Sequence, residues 1–173
     1  MATVLLNTKF KIVTSPVISI TIKINQLMNT IRITKEFSFE MAHALKNYDG
    51  PCVNIHGHSY RLFVTLIGQA NTNIDSPKYG MLMDFGELKK LVHKEIIEKY
   101  DHALVIAESD TRLPDLQKIS INILTTPYQP TCENLVVDIA QQIGKQLPNH
   151  ITIHSIKLYE TATSFAEWYA SDN

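Results

Sequence analysis

The sequence is short of several things, and each shortage narrows what it can be. Two cysteines, Cys52 and Cys132, in 173 residues are too few for a disulfide scaffold. They point instead to a reduced, cytoplasmic protein. Charge of neither sign is in excess: 16 Lys and Arg against 17 Asp and Glu leave a formal −1. That balance argues against a general surface for nucleic acid or for an anionic membrane. A local basic pocket for a phosphorylated small molecule stays compatible with it. No apolar run reaches the roughly 18 residues a bilayer span needs. Internal repeats, low-complexity blocks and long linkers are also missing, so a single domain is expected.

The N-terminal stretch "KFKIVTSPVISITIKIN" resembles a signal peptide at first sight. Pro16, several Ser and Thr residues and Lys23 interrupt it, and no A-x-A cleavage site follows. Its β-branched content suits a strand better. A further reading makes residues 1–27 an upstream extension, with Met28 the natural start and 28–173 the catalytic domain.

What remains is an ordinary globular composition, 45% hydrophobic and 19% charged, with clear periodicity. "IRITKEFSFE" (31–40) places Ile31, Ile33, Phe37 and Phe39 on one side, a strand pattern. "SYRLFVTLIG" (59–68) reads as its antiparallel partner across an irregular connection containing "NYDGP". "DFGELKKLVHKEIIEKY" (84–100) reads as a helix, with Asp84 and Glu87 resembling a capping box and Leu88, Leu91, Val92, Ile96 and Tyr100 at helical spacing. A second helix is expected from the Thr131 cap, with Leu135, Val136, Ile139, Ala140, Ile143 and Leu147 as its stripe and Pro148 as its stop. "KISINILTT" (118–126) and "ITIHSIKLYE" (151–160) read as further strands. The order predicts an α+β fold, with two helices on one face of a mainly antiparallel sheet.

Chemistry concentrates in "PCVNIHGHSY" (51–60). His56 and His58, two apart on a strand, share a face. His43 ends the preceding strand, so pairing of the two strands brings three imidazoles together. Three nitrogens with an open fourth position are how catalytic zinc is held. The alternative is three partly buried histidines bonded to backbone. Cys52 has three readings: a fourth ligand, a free thiolate base or nucleophile, or a small buried apolar residue. Asp101 and His102 form either a proton-carrying pair or a helix-terminal histidine facing the last carbonyls. Glu160, ending a strand, could accept the paired N–H donors of a flat heterocycle or simply face solvent. Glu133 is explained by the helix dipole. Cys132 reads as structural, and His93, His150 and His154 receive no role.

Six segments in order, "FSFEMAHAL", "CVNIHGHSY", "GMLMDFGELK", "DHAL", "PTCENL" and "LYETATS", resemble the signatures of the 6-pyruvoyl-tetrahydropterin synthase superfamily. The C-x-x-x-H-G-H spacing and "MDF" are most similar to its bacterial 6-carboxy-tetrahydropterin synthase branch, of the queuosine pathway. The resemblance spans about residues 31 to 164. It implies the tunnelling fold, in which subunit sheets join into a barrel, and a homohexamer of two stacked trimers with interfacial sites. It implies one zinc ion per subunit on His43, His56 and His58, and Cys52 as proton acceptor. Asp101 and His102 would be the relay, from the same or a neighbouring subunit. Glu160 would anchor the pterin and take part in the charge relay, with Thr131 and Glu133 near the pterin pocket.

The implied reaction is that of a lyase converting 7,8-dihydroneopterin triphosphate to 6-carboxy-5,6,7,8-tetrahydropterin, acetaldehyde and triphosphate. The same fold offers 6-pyruvoyl-tetrahydropterin synthesis as an alternative, and a non-catalytic zinc-bound pterin-binding protein as a remoter one. Three features depart from the pattern. Met41 stands where alanine is usual, Leu104 lacks a following asparagine, and Glu108–Gln129 is longer than in the compact bacterial enzymes.

Overall fold

The computed structural model describes residues 29–173. The readings of residues 1–27 as a strand or extension, and of Met28 as the start, lie outside the described residues. Two long strands, β1 (Thr30–His43) and β2 (His56–Gln69), form an antiparallel ladder running from Thr30 opposite Gln69 to His43 opposite His56. Both exceed their expected lengths at the histidine end, where "AH" and "HGH" carry no alternation signal of their own. Phe37, Phe39 and Met41 of β1 face the same way as Tyr60, Leu62, Val64 and Leu66 of β2, and all are buried. Each such fully buried side chain contributes roughly 1.5–3 kcal/mol.

Helix α1 begins as Phe85–Val92, widens into a π-turn at His93–Ile97 and closes as Glu98–Tyr100. The Asp84 carboxylate caps it by accepting from the Gly86 and Glu87 amides. Glu87 does not complete the expected box; its carboxylate meets Lys78 instead. Helix α3 (Cys132–Gly144) starts at the Thr131 cap and buries Leu135, Val136, Ile139, Ala140 and Ile143. Both helices lie on the face carrying Phe39 and Leu62 and share one core with it. Strand β5 (Ile151–Tyr159) returns antiparallel beside β2.

Three elements were not expected. Strand β3 (Ala103–Ala107) runs parallel to β1 and is buried along its whole length. Strand β6 (Phe165–Tyr169) pairs antiparallel with β5 at the opposite edge. A short helix α2 (Leu113–Leu116) places Leu116 against Leu104 and Ile106, on the sheet face that α1 and α3 leave open. Strand β4 correspondingly shrinks to Ile123–Thr126, parallel to β3. The order β4-β3-β1-β2-β5-β6 is an α+β sheet, mostly antiparallel, with the ends of β1 and β2 near its centre. Among the described residues no helix is long and apolar enough to cross a membrane.

Candidate active site

At the last rung of the β1–β2 ladder His43 stands directly opposite His56, and His58 lies two residues further on the same face. Their ligand nitrogens all fall within 4.8 Å of one another. The tautomers follow from the neighbours. His43 Nδ1 is 2.7 Å from the Pro130 carbonyl and His56 Nδ1 is 2.9 Å from the Asn54 carbonyl. A carbonyl only accepts, so both Nδ1 atoms carry hydrogen and both Nε2 atoms present bare lone pairs. Those two Nε2 atoms are 3.1 Å apart. His58 Nε2 is buried and has no hydrogen-bond partner among the described residues.

Two neutral acceptors at that separation repel each other, and an orphaned third beside them adds to the cost. A cation resolves all three at once. Nitrogens bound tetrahedrally at about 2.0–2.1 Å stand about 3.3 Å apart, close to the spacing present. Burial, first among the causes, holds His43 and His58 below the ordinary imidazole range despite the opposing pull of Glu160. Neutral imidazole is the form that ligates. The donor set therefore fits a borderline divalent ion.

Gly57, between the two histidines of β2, faces the other side of the sheet. A Cβ there would sit 3.3 Å from the Met41 carbonyl oxygen, so the H-G-H spacing also reflects a close backbone approach.

Glu160 follows β5 and brings Oε1 to 3.6 Å from His43 Nε2 and 4.0 Å from His58 Nε2. Tyr60, the next inward-facing residue after His58, donates its hydroxyl to the same Oε1 at 3.3 Å. Its ring is fully buried and stacked on Phe39 at 5.2 Å. Burial first, and the Glu160 charge next, push the Tyr60 phenol well above its ordinary range. It is a donor at any working pH. The sequence reading missed Tyr60, although its place two residues beyond "HGH" on the same strand face was a signal.

Cys52 sits on a 3₁₀ turn, Pro51–Val53, in the loop joining β1 to β2. It is half-buried and free, and it is outside the histidine group. That places it apart from the closed four-ligand reading. Its negative form would add to the field that raises the Tyr60 phenol.

Asp101 and His102 do meet, Oδ1 to Nδ1 at 3.1 Å. The Asp101 carboxyl is held below the usual range chiefly by the Glu40 amide, which donates to it at 2.9 Å, and further by His102. His102 takes a left-handed backbone, φ 59°, fixed where its own amide donates to the Glu40 carbonyl at 2.6 Å. The pair is not among the residues whose ligand atoms converge, which are His43, His56 and His58. His102 borders a cavity of about 540 Å³ that Glu40, Ala42, Ser59 and also His58 line; the Glu40, Ala42 and Ser59 side chains occupy the opposite face of the sheet from those of His43 and His56.

Thr131 spends its hydroxyl on the Asn134 amide at 3.3 Å. Glu133 lies exposed in the first turn of α3. The neighbour that reaches the histidines from this segment is the Pro130 carbonyl. Cys132 is buried and donates its thiol hydrogen to the Leu158 carbonyl at 3.2 Å, and burial pushes its pKa up to about 11. This matches the structural reading.

The family model for 6-pyruvoyl tetrahydropterin synthase matches residues 32–171. The 6-carboxy-5,6,7,8-tetrahydropterin synthase of Haemophilus influenzae is 38% identical over 143 residues, covering 79% of this chain and 97% of that protein. Among solved structures, an uncharacterized protein of Wolinella succinogenes superposes with a TM-score of 0.67 at 19% identity, over 82% of this chain and 99% of that one. The 6-pyruvoyl tetrahydropterin synthase of Caenorhabditis elegans gives 0.59 at 23% identity, over 83% and 97%. These two similarities establish the fold.

Proposed function

The chain belongs to the 6-pyruvoyl tetrahydropterin synthase family, and on that premise we propose that it is a zinc-dependent lyase of the 6-carboxy-tetrahydropterin synthase type. Its substrates are 7,8-dihydroneopterin triphosphate and one water, and its products are 6-carboxy-5,6,7,8-tetrahydropterin, acetaldehyde and triphosphate, in queuosine biosynthesis. The observation that carries this reading is the gathering of three imidazole nitrogens within 4.8 Å of one another with the Glu160 carboxylate alongside. The 38% identity to the Haemophilus influenzae protein selects the carboxy branch.

His43, His56 and His58 hold the ion, one per subunit. When bound, zinc supplies Lewis acidity toward the hydroxyls of the substrate side chain. Glu160 accepts the paired N–H groups of the pterin ring through charge-assisted bonds, and Tyr60 keeps its carboxylate oriented. Cys52, free of the ligand set, takes a proton from the side chain as thiolate. His102, oriented by Asp101, carries that proton onward.

His102 meets its cavity beside Glu40, Ala42 and Ser59, whose side chains lie on the face opposite those of His43 and His56, which supports a relay supplied to a given metal by another copy. A homohexamer, two trimers whose sheets join into a barrel, provides such interfaces. Thr131 and Glu133 are assigned to the rim of the pterin pocket, reached through the same segment that supplies the Pro130 carbonyl. The protein acts in the cytoplasm.

The test is one incubation of zinc-loaded protein with dihydroneopterin triphosphate. Acetaldehyde together with a 6-carboxy product is expected, and sepiapterin should be cleaved as well. A 6-pyruvoyl product without acetaldehyde would move the chain to the pyruvoyl branch. Bound but unconsumed substrate would make it a pterin-binding protein.

A further inference from the structure

The connection between β1 and β2, residues 44–55, leaves and re-enters the sheet at a single rung, since His43 pairs with His56. A loop closed on so narrow a base is held only by what grips its far part. Within it, the Leu45 amide donates to the Cys52 carbonyl at 2.9 Å and the Val53 amide to the Gly50 carbonyl at 3.2 Å. From outside, the Gln129 side chain brackets Lys46, accepting from its amide at 3.0 Å and donating to its carbonyl at 2.8 Å.

A second grip comes from the segment after β3. Asp110 is buried, and Arg112 spans both its oxygens, Nε to Oδ1 at 3.0 Å and Nη2 to Oδ2 at 2.7 Å. The Arg112 amide also donates to Oδ1 at 2.9 Å. The remaining nitrogen, Nη1, donates to the Val53 carbonyl at 2.5 Å. Val53 is the residue directly after Cys52. Lys46 reinforces this side by donating its ammonium to the Ser109 carbonyl. A planar fork can satisfy a carboxylate with one edge and a carbonyl with another; a point charge cannot.

We infer that Arg112, oriented by the buried Asp110 carboxylate, is a positioning residue that fixes where the Cys52 thiol stands. The inference rests on the reading of Cys52 as proton acceptor. It makes the segment following β3 part of the catalytic support, although no residue of that segment joins the histidine group.

Two variants test it in the zinc-loaded protein. Arg112→Lys keeps a cation beside the buried carboxylate but cannot reach both its partners. Asp110→Asn combined with Arg112→Gln removes both charges, keeping the carboxylate's shape as an amide and shortening the guanidinium arm to one that cannot reach the Val53 carbonyl. The expected result in each is one zinc per chain, KM within about twofold of the parent and kcat down about tenfold or more. The rate of Cys52 alkylation by iodoacetamide, read peptide by peptide so that Cys132 is not counted, should change about threefold or more.

Folded variants with parental kcat and parental Cys52 alkylation overturn the inference. So does a variant that melts earlier while both quantities stay put, because that is a stability role alone. Failure of the underlying reading looks different: Cys52→Ala would then turn over at the parental rate. In that case the alkylation change in Arg112→Lys still decides whether the guanidinium holds the loop.

Discussion

Replacing Tyr60 by phenylalanine removes one hydroxyl and leaves the ring stacked on Phe39, edge-on to His58 at 5.7 Å. What is lost is the bond to Glu160 Oε1 at 3.3 Å. A hydrogen bond to a charged group nets about 1.5–3 kcal/mol. This one is longer than the usual O–H···O range of about 2.5–3.0 Å, so about 1 kcal/mol is the appropriate figure. Folding stability should move by less than about 1 kcal/mol, because the variant also buries one polar group fewer. The effect should fall on substrate binding, where about 1 kcal/mol corresponds to about fivefold. In steady-state assays with dihydroneopterin triphosphate, Tyr60→Phe should raise KM about three- to tenfold. Its kcat should stay within about twofold, with zinc content unchanged. A variant whose KM does not move, while Glu160→Ala destroys binding, would show that the hydroxyl does not orient the carboxylate. A loss confined to kcat would refute the placement of Tyr60 behind a binding group.

Other outcomes follow from the same geometry. His56→Ala should lose bound zinc and turnover together by metal analysis and product assay; stoichiometric zinc in that variant would contradict the ligand set. Cys52→Ala should keep one zinc per chain and lose about 100-fold or more in kcat, the scale of a missing general base; parental turnover would remove Cys52 from the reaction. Burial holds the Tyr60 and Tyr100 phenols above their ordinary range. The unfolded chain releases these protons near pH 10 and the folded chain keeps them, so stability is full below about pH 10 and falls above it. The slope should be about 3 kcal/mol per pH unit for the two phenols together. Urea midpoints that stay flat from about pH 9 to 11 would disprove that.

The histidine group was legible because it obeys the simplest rule in the sequence. Alternate residues on a strand share a face, and two adjacent strands pair, so "EMAH" and "HGH" had to meet once the ladder was long enough. The caps at Asp84 and Thr131 were legible for a similarly local reason. Strand β3 was not. It is a parallel strand between β1 and β4, and its five buried residues show no alternation to read. Part of the expected 118–126 strand became turn after α2, since the alternating isoleucines Ile119 and Ile121 are exposed, not paired. Adjacency in "DH" announced that Asp101 and His102 could meet, and they do. It could not announce the face they would serve, because that depends on where α1 hands the chain to β3. The partners of Tyr60 and Arg112 were invisible for a third reason: Glu160 and the Val53 carbonyl are 100 and 59 residues away.

On the proposed zinc site, the rung that pairs His43 with His56 would make ion affinity a gauge of strand alignment. If β2 slipped by one residue against β1, its two imidazoles would turn to the other face. A slip of two would restore the face but carry His56 about 7 Å along the strand from its partner. A chain folded out of step could still be compact, helical and soluble, yet it would hold no zinc. Titrating a refolded sample with the ion therefore counts the molecules whose central hairpin has zipped in its native alignment.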